Sequence, residues 1–286
     1  MNSDVSIYVP AFNAENTIEE CIKSILSQTI KPSKILVIND CSTDNTLKVL
    51  SNFENKIEII NNKKNMGVSY SRNLAKKYLK TKFIASIDAD VEIYPEWIEL
   101  LVNKIREEGI SLIGGKMYEK YIDNPFNLWR SIRLKQNWGE EDLSNPKFIF
   151  GCNNILDTER VKLDIEYRND HEYFKTNGED IEFCNFLKKK NLKLYYHSKA
   201  ICYHLQNDDG LSLSKRYWRY IYYGDGLKKR NLFKTIKNIL RQIKKTTKWS
   251  IQDIFRFRFK LLLVNFILLY YFIYLDLKFY WLNKNG

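Results

Sequence analysis

The sequence predicts an α/β fold, a mixed and mostly parallel sheet flanked by helices, from three observations. Short β-rich runs alternate with stretches of helical periodicity over most of the chain, the signature of strand-helix-strand units. One of these runs, Phe83-Ile-Ala-Ser-Ile87, is apolar almost without a break, as strands covered on both faces are. The 286 residues, 44% apolar, suffice for one substantial core with appendages or for two small domains.

Val5-Ser-Ile-Tyr-Val9 reads as the first strand. Asn16 caps the helix that follows, with Glu19 placed for a capping box. Ile18, Cys21, Ile22, Ile25 and Leu26 fall on one face of this helix, which should end near Gln28, before Pro32. Lys34-Ile-Leu-Val-Ile-Asn39 is the second strand, a helix starts at Ser42 or Thr43 and runs to Leu50, and residues 57–60 make the third strand. A helix over residues 68–78 leads into the apolar strand at 83–87. Pro95 then opens a helix that reaches about Glu108, and residues 111–121 supply more strand. Farther on, 126–138 look helical, 148–156 strand-like and 179–190 amphipathic, with strand-like pieces at 192–196 and 200–203.

The net charge of +12 is unevenly placed. Residues 1–227 hold 32 Lys and Arg against 32 Asp and Glu, whereas residues 228–260 hold 12 basic residues and only Asp253 as an acid. Any anionic surface that binds this protein therefore meets residues 228–260. Nucleic acid is set aside as the partner, because the basic stretch runs straight into an apolar one that would be insoluble beside it. The five cysteines, Cys21, Cys41, Cys152, Cys184 and Cys202, are scattered and form no C-x-x-C pair. Neither a disulfide framework nor a zinc knuckle is expected, and a reducing compartment is the natural setting. The apolar run at 5–9 stops at Pro10 and has no basic region before it, so no signal peptide is expected.

In an alternating α/β architecture ligands bind at the carboxyl ends of the strands. The residues there are Pro10-Ala-Phe-Asn13, Asp40-Cys-Ser-Thr-Asp44 and Asp88-Ala-Asp90, which bring three carboxylates to one rim. Ser42 and Asp44 read as helix-capping residues. Asp40 comes one step earlier, at the strand end, where it can accept a hydrogen bond from a base or ribose. A D-x-D pair leaving a buried strand can direct carboxylates at one hard cation, which in turn grips a diphosphate.

Taken in order, Val9-Pro-Ala-Phe-Asn-Ala14, Val37-Ile-Asn-Asp-Cys-Ser-Thr-Asp-Asn-Thr46, Asn65-Met-Gly-Val-Ser-Tyr-Ser-Arg-Asn73, Ile87-Asp-Ala-Asp90 and Gly178-Glu-Asp180 resemble the family-two glycosyltransferases of GT-A fold. The resemblance covers roughly residues 5–205. It implies an inverting enzyme that takes a sugar from a nucleotide-diphosphate sugar, with a divalent metal, Mg or Mn, as cofactor. It further implies that Pro10, Ala11 and Asp40 hold the nucleoside and that Arg72 lies near the base or diphosphate. Asp88, Ala89 and Asp90 would meet the ribose and the metal, and Asp180 would be the catalytic base. In similar enzymes a histidine on a strand after the acidic helix completes the metal site, and of His171, His197 and His204 the last fits that spacing best.

Direct displacement at an anomeric carbon calls for a carboxylate to take the acceptor's proton and a cation at the departing diphosphate, which agrees with this reading. The other reading of Glu179-Asp180 is a pair of first-turn acids placed for the helix dipole. Processive polysaccharide synthases of the family carry Q-x-x-R-W beyond the base, where this chain has Lys215-Arg-Tyr-Trp-Arg219. Addition of a single sugar to a glycan or lipid-linked acceptor is therefore expected. Transfer to a polyprenyl phosphate is the alternative.

After residue 227 the pattern changes. Leu232, Phe233, Ile236, Ile239, Leu240 and Ile243 lie at helical spacing beneath Lys234, Lys237, Arg241, Lys244 and Lys245, a basic amphipathic helix suited to anionic headgroups. A solvated helix packed on the catalytic domain is the other reading. Residues 261–275 carry no charge, and a helix over 261–282 would be about 33 Å long, enough to cross a bilayer core of about 30 Å. Asp276 and Lys278 weigh against a span, so an in-plane helix stands beside it. Either arrangement attaches the chain through 228–282 to an anionic membrane and keeps it on the cytoplasmic face. The expected organisation is a catalytic domain over 1–227, a basic segment over 228–260 and an apolar helix with a short tail over 261–286.

Overall fold

The computed structural model describes residues 3–162, 164–168, 178–221 and 231–284. They fall into two compact units. The first gathers the described residues within 1–120, 135–170 and 179–206, the second those within 121–134, 171–178 and 207–286.

In the first unit β1 (Val5–Ala11), β2 (Lys34–Asn39), β3 (Glu58–Asn61) and β4 (Phe83–Ile87) pair in parallel in the order β3-β2-β1-β4. The connections are α1 (Ile18–Leu26), α2 (Thr46–Ser51) and α3 (Val68–Tyr78). Because side chains alternate along a strand, β1 sends Val5, Ile7 and Val9 into a core with Cys21, Ile22 and Ile25 of α1. Its Tyr8 goes to the opposite face, against Ala75 and Leu79. Helices cover both faces, so both sets are apolar.

Past β4 the sheet becomes mixed. The strand β8 (Asn153–Asp157) runs antiparallel to β4 and to β6 (Leu112–Glu119), and β9 (Leu194–His204) runs parallel to β6. Two short strands, β5 (Val91–Ile93) and β7 (Leu143–Ser144), pair antiparallel with the two ends of β9. The helix α4 (Trp97–Glu108) buries Trp97, Ile98, Leu101 and Ile105 in the same core as α1, and α6 (Glu179–Lys189) buries Phe183, Cys184 and Leu187 in a second one.

Several local expectations are corrected. No side chain caps α1; the Ala14 carbonyl accepts from the amides of Thr17 and Ile18, both at 3.0 Å, which replaces the cap assigned to Asn16. The α2 helix starts at Thr46, later than expected, because Ser42, Thr43 and Asp44 brace the loop after β1. Ser42 Oγ accepts from the Asn13 amide at 3.0 Å, the Thr43 amide donates to Asn13 Oδ1 at 2.8 Å, and Asp44 Oδ2 accepts from the Glu15 amide at 3.1 Å. Residues 148–152 are not strand. The pieces at 192–196 and 200–203 are one strand with a register shift opposite Gly115 and Lys116.

The second unit comprises α5 (Pro125–Arg133), α7 (Gly210–Ile221), α8 (Leu232–Phe255) and α9 (Phe259–Lys284). The first of these stops short of Trp138. Trp129, Leu213, Tyr217, Leu261, Leu268 and Phe272 form its core. The turn between α8 and α9 passes through Phe257, whose φ of 55° is left-handed. The tail helix α8 buries Thr235, Gln242, Thr246 and Asp253, while Phe233, Ile236, Leu240 and Ile243 are exposed. The start of the basic segment, 228–230, lies outside the described residues.

Candidate active site

The exits of β1, β2 and β4 line one open cleft. The strand order reverses between β1 and β4, the place where doubly wound sheets open a crevice. Pro10, Ala11, Asp40, Asp88, Ala89 and Asp90 all line it. Phe12, Val68, Ser71 and Gln206 also line it; the first three lie within runs quoted above, whereas nothing in its type or place marks Gln206 as a ligand contact.

Asp40 is buried, and its carboxylate is spent largely on the chain itself. Oδ1 accepts from Asn62 Nδ2 at 2.7 Å and the Met66 amide at 2.8 Å; Oδ2 accepts from the Gly67 amide at 2.6 Å. Asp40 thus fixes the turn into α3, which carries Val68 and Ser71 into the cleft wall. Gly67 takes a φ of 87° there, a conformation that favours glycine.

Asp88-Ala-Asp90 forms a tight turn, the Val91 amide donating to the Asp88 carbonyl at 3.0 Å. The turn feeds β5, whose pairing sets Val91 opposite His204. That register brings His204 Nε2 within 3.2 Å of Asp90 Oδ2, while Nδ1 lies 3.1 Å from Glu119 Oε2. Burial opposes the imidazolium, but the carboxylates of Asp90 and Glu119 outweigh it and hold the His204 pKa above its ordinary value. His197 is placed elsewhere, with Nδ1 at 3.1 Å from Asp142, and His171 lies outside the described residues.

An imidazole held by a carboxylate on one nitrogen and facing another carboxylate with the other is a fitting donor pair for a divalent cation. Asp90 and His204 are the residues that would hold Mg or Mn. Among the described residues no three His, Cys, Asp or Glu side chains cluster as a complete metal site. A bound ion would draw its remaining ligands from the donor and water, as Mg habitually does.

Arg72 does not line the cleft. It is buried beneath it, 2% exposed, with Nη2 3.2 Å from Asp88 and Nη1 2.6 Å from Glu179. Burial and the Arg72 charge act oppositely on Asp88; burial prevails, helped by Asp90, and the Asp88 pKa is raised. Next in sequence to Glu179, Asp180 accepts from the Gly151 amide at 3.2 Å and from the Ile181 amide at 2.8 Å. Burial pushes its pKa up to about 7, with repulsion from Glu179 adding to the effect. Gly151 is constrained from both sides: its carbonyl accepts from Ser86 Oγ at 2.7 Å, and a Cβ there would lie 2.6 Å from Arg72 Nη1. A glycine inside an apolar run is the signal of close backbone approach that could have marked it.

Residues 6–193 match the sequence profile of Glycosyl transferase family 2. The chain belongs to this family. Among its family 2 relatives, an uncharacterized glycosyltransferase of Haemophilus influenzae is 42% identical over 106 residues, 36% of this chain and 33% of that one. The UDP-Glc:alpha-D-GlcNAc-diphosphoundecaprenol beta-1,3-glucosyltransferase WfgD of Escherichia coli is 37% identical over 121 residues, 42% of this chain and 47% of that one. The matches therefore span less than half the length of these relatives. Solved structures share the GT-A fold. S. aureus TarS in complex with UDP-GlcNAc has a TM-score of 0.58 at 19% identity, over 76% of this chain and 65% of that one. The mannosyltransferase PcManGT of Pyrobaculum calidifontis, in complex with GDP-Man and Mn2+, has a TM-score of 0.58 at 12% identity, over 77% of this chain and 62% of that one.

Proposed function

We propose that this family 2 glycosyltransferase moves one sugar, with inversion, from a nucleotide-diphosphate sugar to a glycan or lipid-linked acceptor at the cytoplasmic face of a membrane. The observation that carries the reading is Asp180, half-buried, fixed by the Gly151 amide and raised to about 7, linked through Glu179 and Arg72 to the D-x-D turn. A base whose pKa lies near the working pH is both ionised and basic enough to take a proton.

The donor's nucleoside lies in the cleft against Pro10 and Ala11. Asp40 keeps the wall of that cleft in place through the 66–67 turn. Asp180 accepts the proton of an acceptor hydroxyl as the oxygen attacks the anomeric carbon. The bond from that carbon to the diphosphate breaks on the opposite face, and its electron pair leaves with the nucleotide. Asp90 and His204 would hold Mg or Mn, whose charge offsets the negative charge gathering on the leaving diphosphate.

Asp180→Asn keeps the shape but removes the proton acceptor. It is expected to lose turnover with a panel of nucleotide-sugars while still binding the donor in calorimetry. Near wild-type turnover in that variant would overturn the assignment.

Transfer to a polyprenyl phosphate is the second reading, favoured by the exposed apolar residues of α8 and α9. A phosphate acceptor is already ionised at neutral pH and needs no base. Turnover on polyprenyl phosphate that survives Asp180→Asn would select this second reading.

A further inference from the structure

We propose that α8 and α9 form an in-plane membrane hairpin, lying within one leaflet of an anionic bilayer instead of crossing it; this rests on the membrane attachment proposed above. By length and composition, residues 259–281 could cross a bilayer. The packing of α9 within its own unit argues otherwise.

One face of α9 is docked along most of its length. Leu261, Val264, Leu268 and Phe272 are buried in the unit's core. Asn265 accepts from Trp129 Nε1 at 2.8 Å and donates to Asp253 at 3.0 Å, and Asp276 accepts from Trp218 Nε1 at 2.8 Å. A crossing α9 would draw its neighbours into hydrocarbon with it. Those neighbours are α7, with Lys215, Arg216 and Arg219, and the lysine-rich α8. Charged side chains at that depth are expensive.

The opposite face of α9 is apolar and exposed: Leu263, Phe266, Tyr270, Tyr274, Leu277 and Trp281 recur at the three-four spacing of one stripe. The α8 helix repeats the arrangement with Phe233, Ile236, Leu240, Ile243, Ile251 and Ile254. Phe255, the last residue of α8, and Phe257, in the turn to α9, are about 80% exposed. The α8 helix therefore turns polar groups inward and apolar ones outward, the reverse of a helix that meets water, while α9 is apolar on both faces, with Asn265 and Asp276 the polar side chains on its docked one. On α8, Lys237, Lys244 and Lys248 adjoin the apolar stripe around the helix. An apolar stripe edged with lysines fits acyl chains below and anionic headgroups beside them.

The test places single nitroxide labels at Ile236→Cys, Ile243→Cys, Leu263→Cys, Phe266→Cys, Tyr270→Cys and Leu277→Cys. The full chain is used, with Cys41 and Cys152 replaced by Ser, bound to vesicles of phosphatidylcholine and phosphatidylglycerol. All six labels are expected at one shallow depth, roughly 5–10 Å below the headgroup boundary. Depths on α9 that grade to the bilayer centre at Phe266 and Tyr270 would overturn the in-plane hairpin while leaving attachment standing. A chain that ignores these vesicles and self-associates in buffer would defeat attachment itself and give the face to a second copy. As an independent check, Leu263→Glu with Phe266→Glu and Tyr270→Glu should weaken vesicle binding at least tenfold without moving the melting temperature. Unchanged binding in that variant would also overturn the proposal.

Discussion

Arg72, on α3, donates to Glu179, the first residue of α6, at 2.6 Å. The same guanidinium reaches Asp88, so one buried cation links the D-x-D turn to the residue beside the proposed base. Removing one partner of a buried pair strands the other charge in a poorly solvated place, at roughly 3–5 kcal/mol. Arg72→Met is therefore expected to lose about that much stability in urea unfolding, and turnover with it. Loss of turnover at unchanged stability would mean that Arg72 acts on the donor directly and not by holding two loops.

Gly151→Ala tests the same arrangement from the other side, because the new Cβ would collide with the Arg72 guanidinium. Overpacking of this kind typically costs about 1–3 kcal/mol. The Gly151 amide also holds Asp180, so turnover should fall further than stability alone explains. A variant indistinguishable from the parent in both assays would show that the guanidinium moves aside freely.

The pH dependence follows from Asp180, which must be ionised to accept a proton. Its pKa of about 7 predicts that kcat/KM falls as the pH drops through 7. In Glu179→Gln a negative neighbour disappears, ionisation of Asp180 becomes easier, and the ascending limb should move to lower pH. Stability should respond with the opposite sense. A carboxyl whose folded pKa exceeds its unfolded one opposes folding increasingly as the pH rises from about 4 to about 7. Asp180→Asn should thus raise the melting temperature at pH 8 relative to the parent and change it little near pH 4. A limb that stays fixed in Glu179→Gln would assign the titration to another group.

Metal affinity should depend on Glu119, which orients His204 without facing the cation. Outer partners of ligating histidines typically contribute about 10–100-fold in affinity. Glu119→Gln should weaken Mn2+ binding by about that factor in calorimetry, and Asp90→Ala should abolish both binding and transfer while the fold survives. Equal Mn2+ affinity in all three proteins would remove Asp90 and His204 from the metal site.

How far the sequence reaches is clear from individual elements. The helix α3 and the strand β4 begin and end where periodicity and the apolar run place them, since both signals are local. Asp40, Asp88 and Asp90 are legible because they follow strands, and strand ends are where such sheets bind ligands. The approach of His204 to Asp90 depends on the pairing of β5 with β9. A three-residue strand has no period to read, and the partner it selects is remote in sequence. Glu119 is hidden for the same reason. Gly151 lies in a run that reads as strand, whereas its backbone bends to serve Ser86 and Asp180. In α8 the spacing reveals the apolar stripe but not its direction, which buried partners on α5 and α9 decide.

Asp253 is the residue through which that direction can be tested. It is fully buried; Oδ1 accepts from Arg133 Nη2 at 2.7 Å, and Oδ2 accepts from Asn265 Nδ2 at 3.0 Å. The pair pins the end of α8 to α5 and α9, while the apolar residues of α8's outward face are exposed. Asp253→Ala leaves Arg133 without its carboxylate and Asn265 short of an acceptor, so a loss of about 3–5 kcal/mol is expected. Asp253→Asn, which keeps the hydrogen-bonding shape but not the charge, should lose less. Near-ultraviolet dichroism reports on the pin, because Trp129 and Trp249 stack edge to face at 5.3 Å beside it. The alanine variant should lose that signal at lower urea than the parent and bind more of a hydrophobic dye as α8 loosens. A change below about 0.5 kcal/mol, the range of an ordinary surface substitution, would mean that apolar packing of α9 alone sets the outward face of α8.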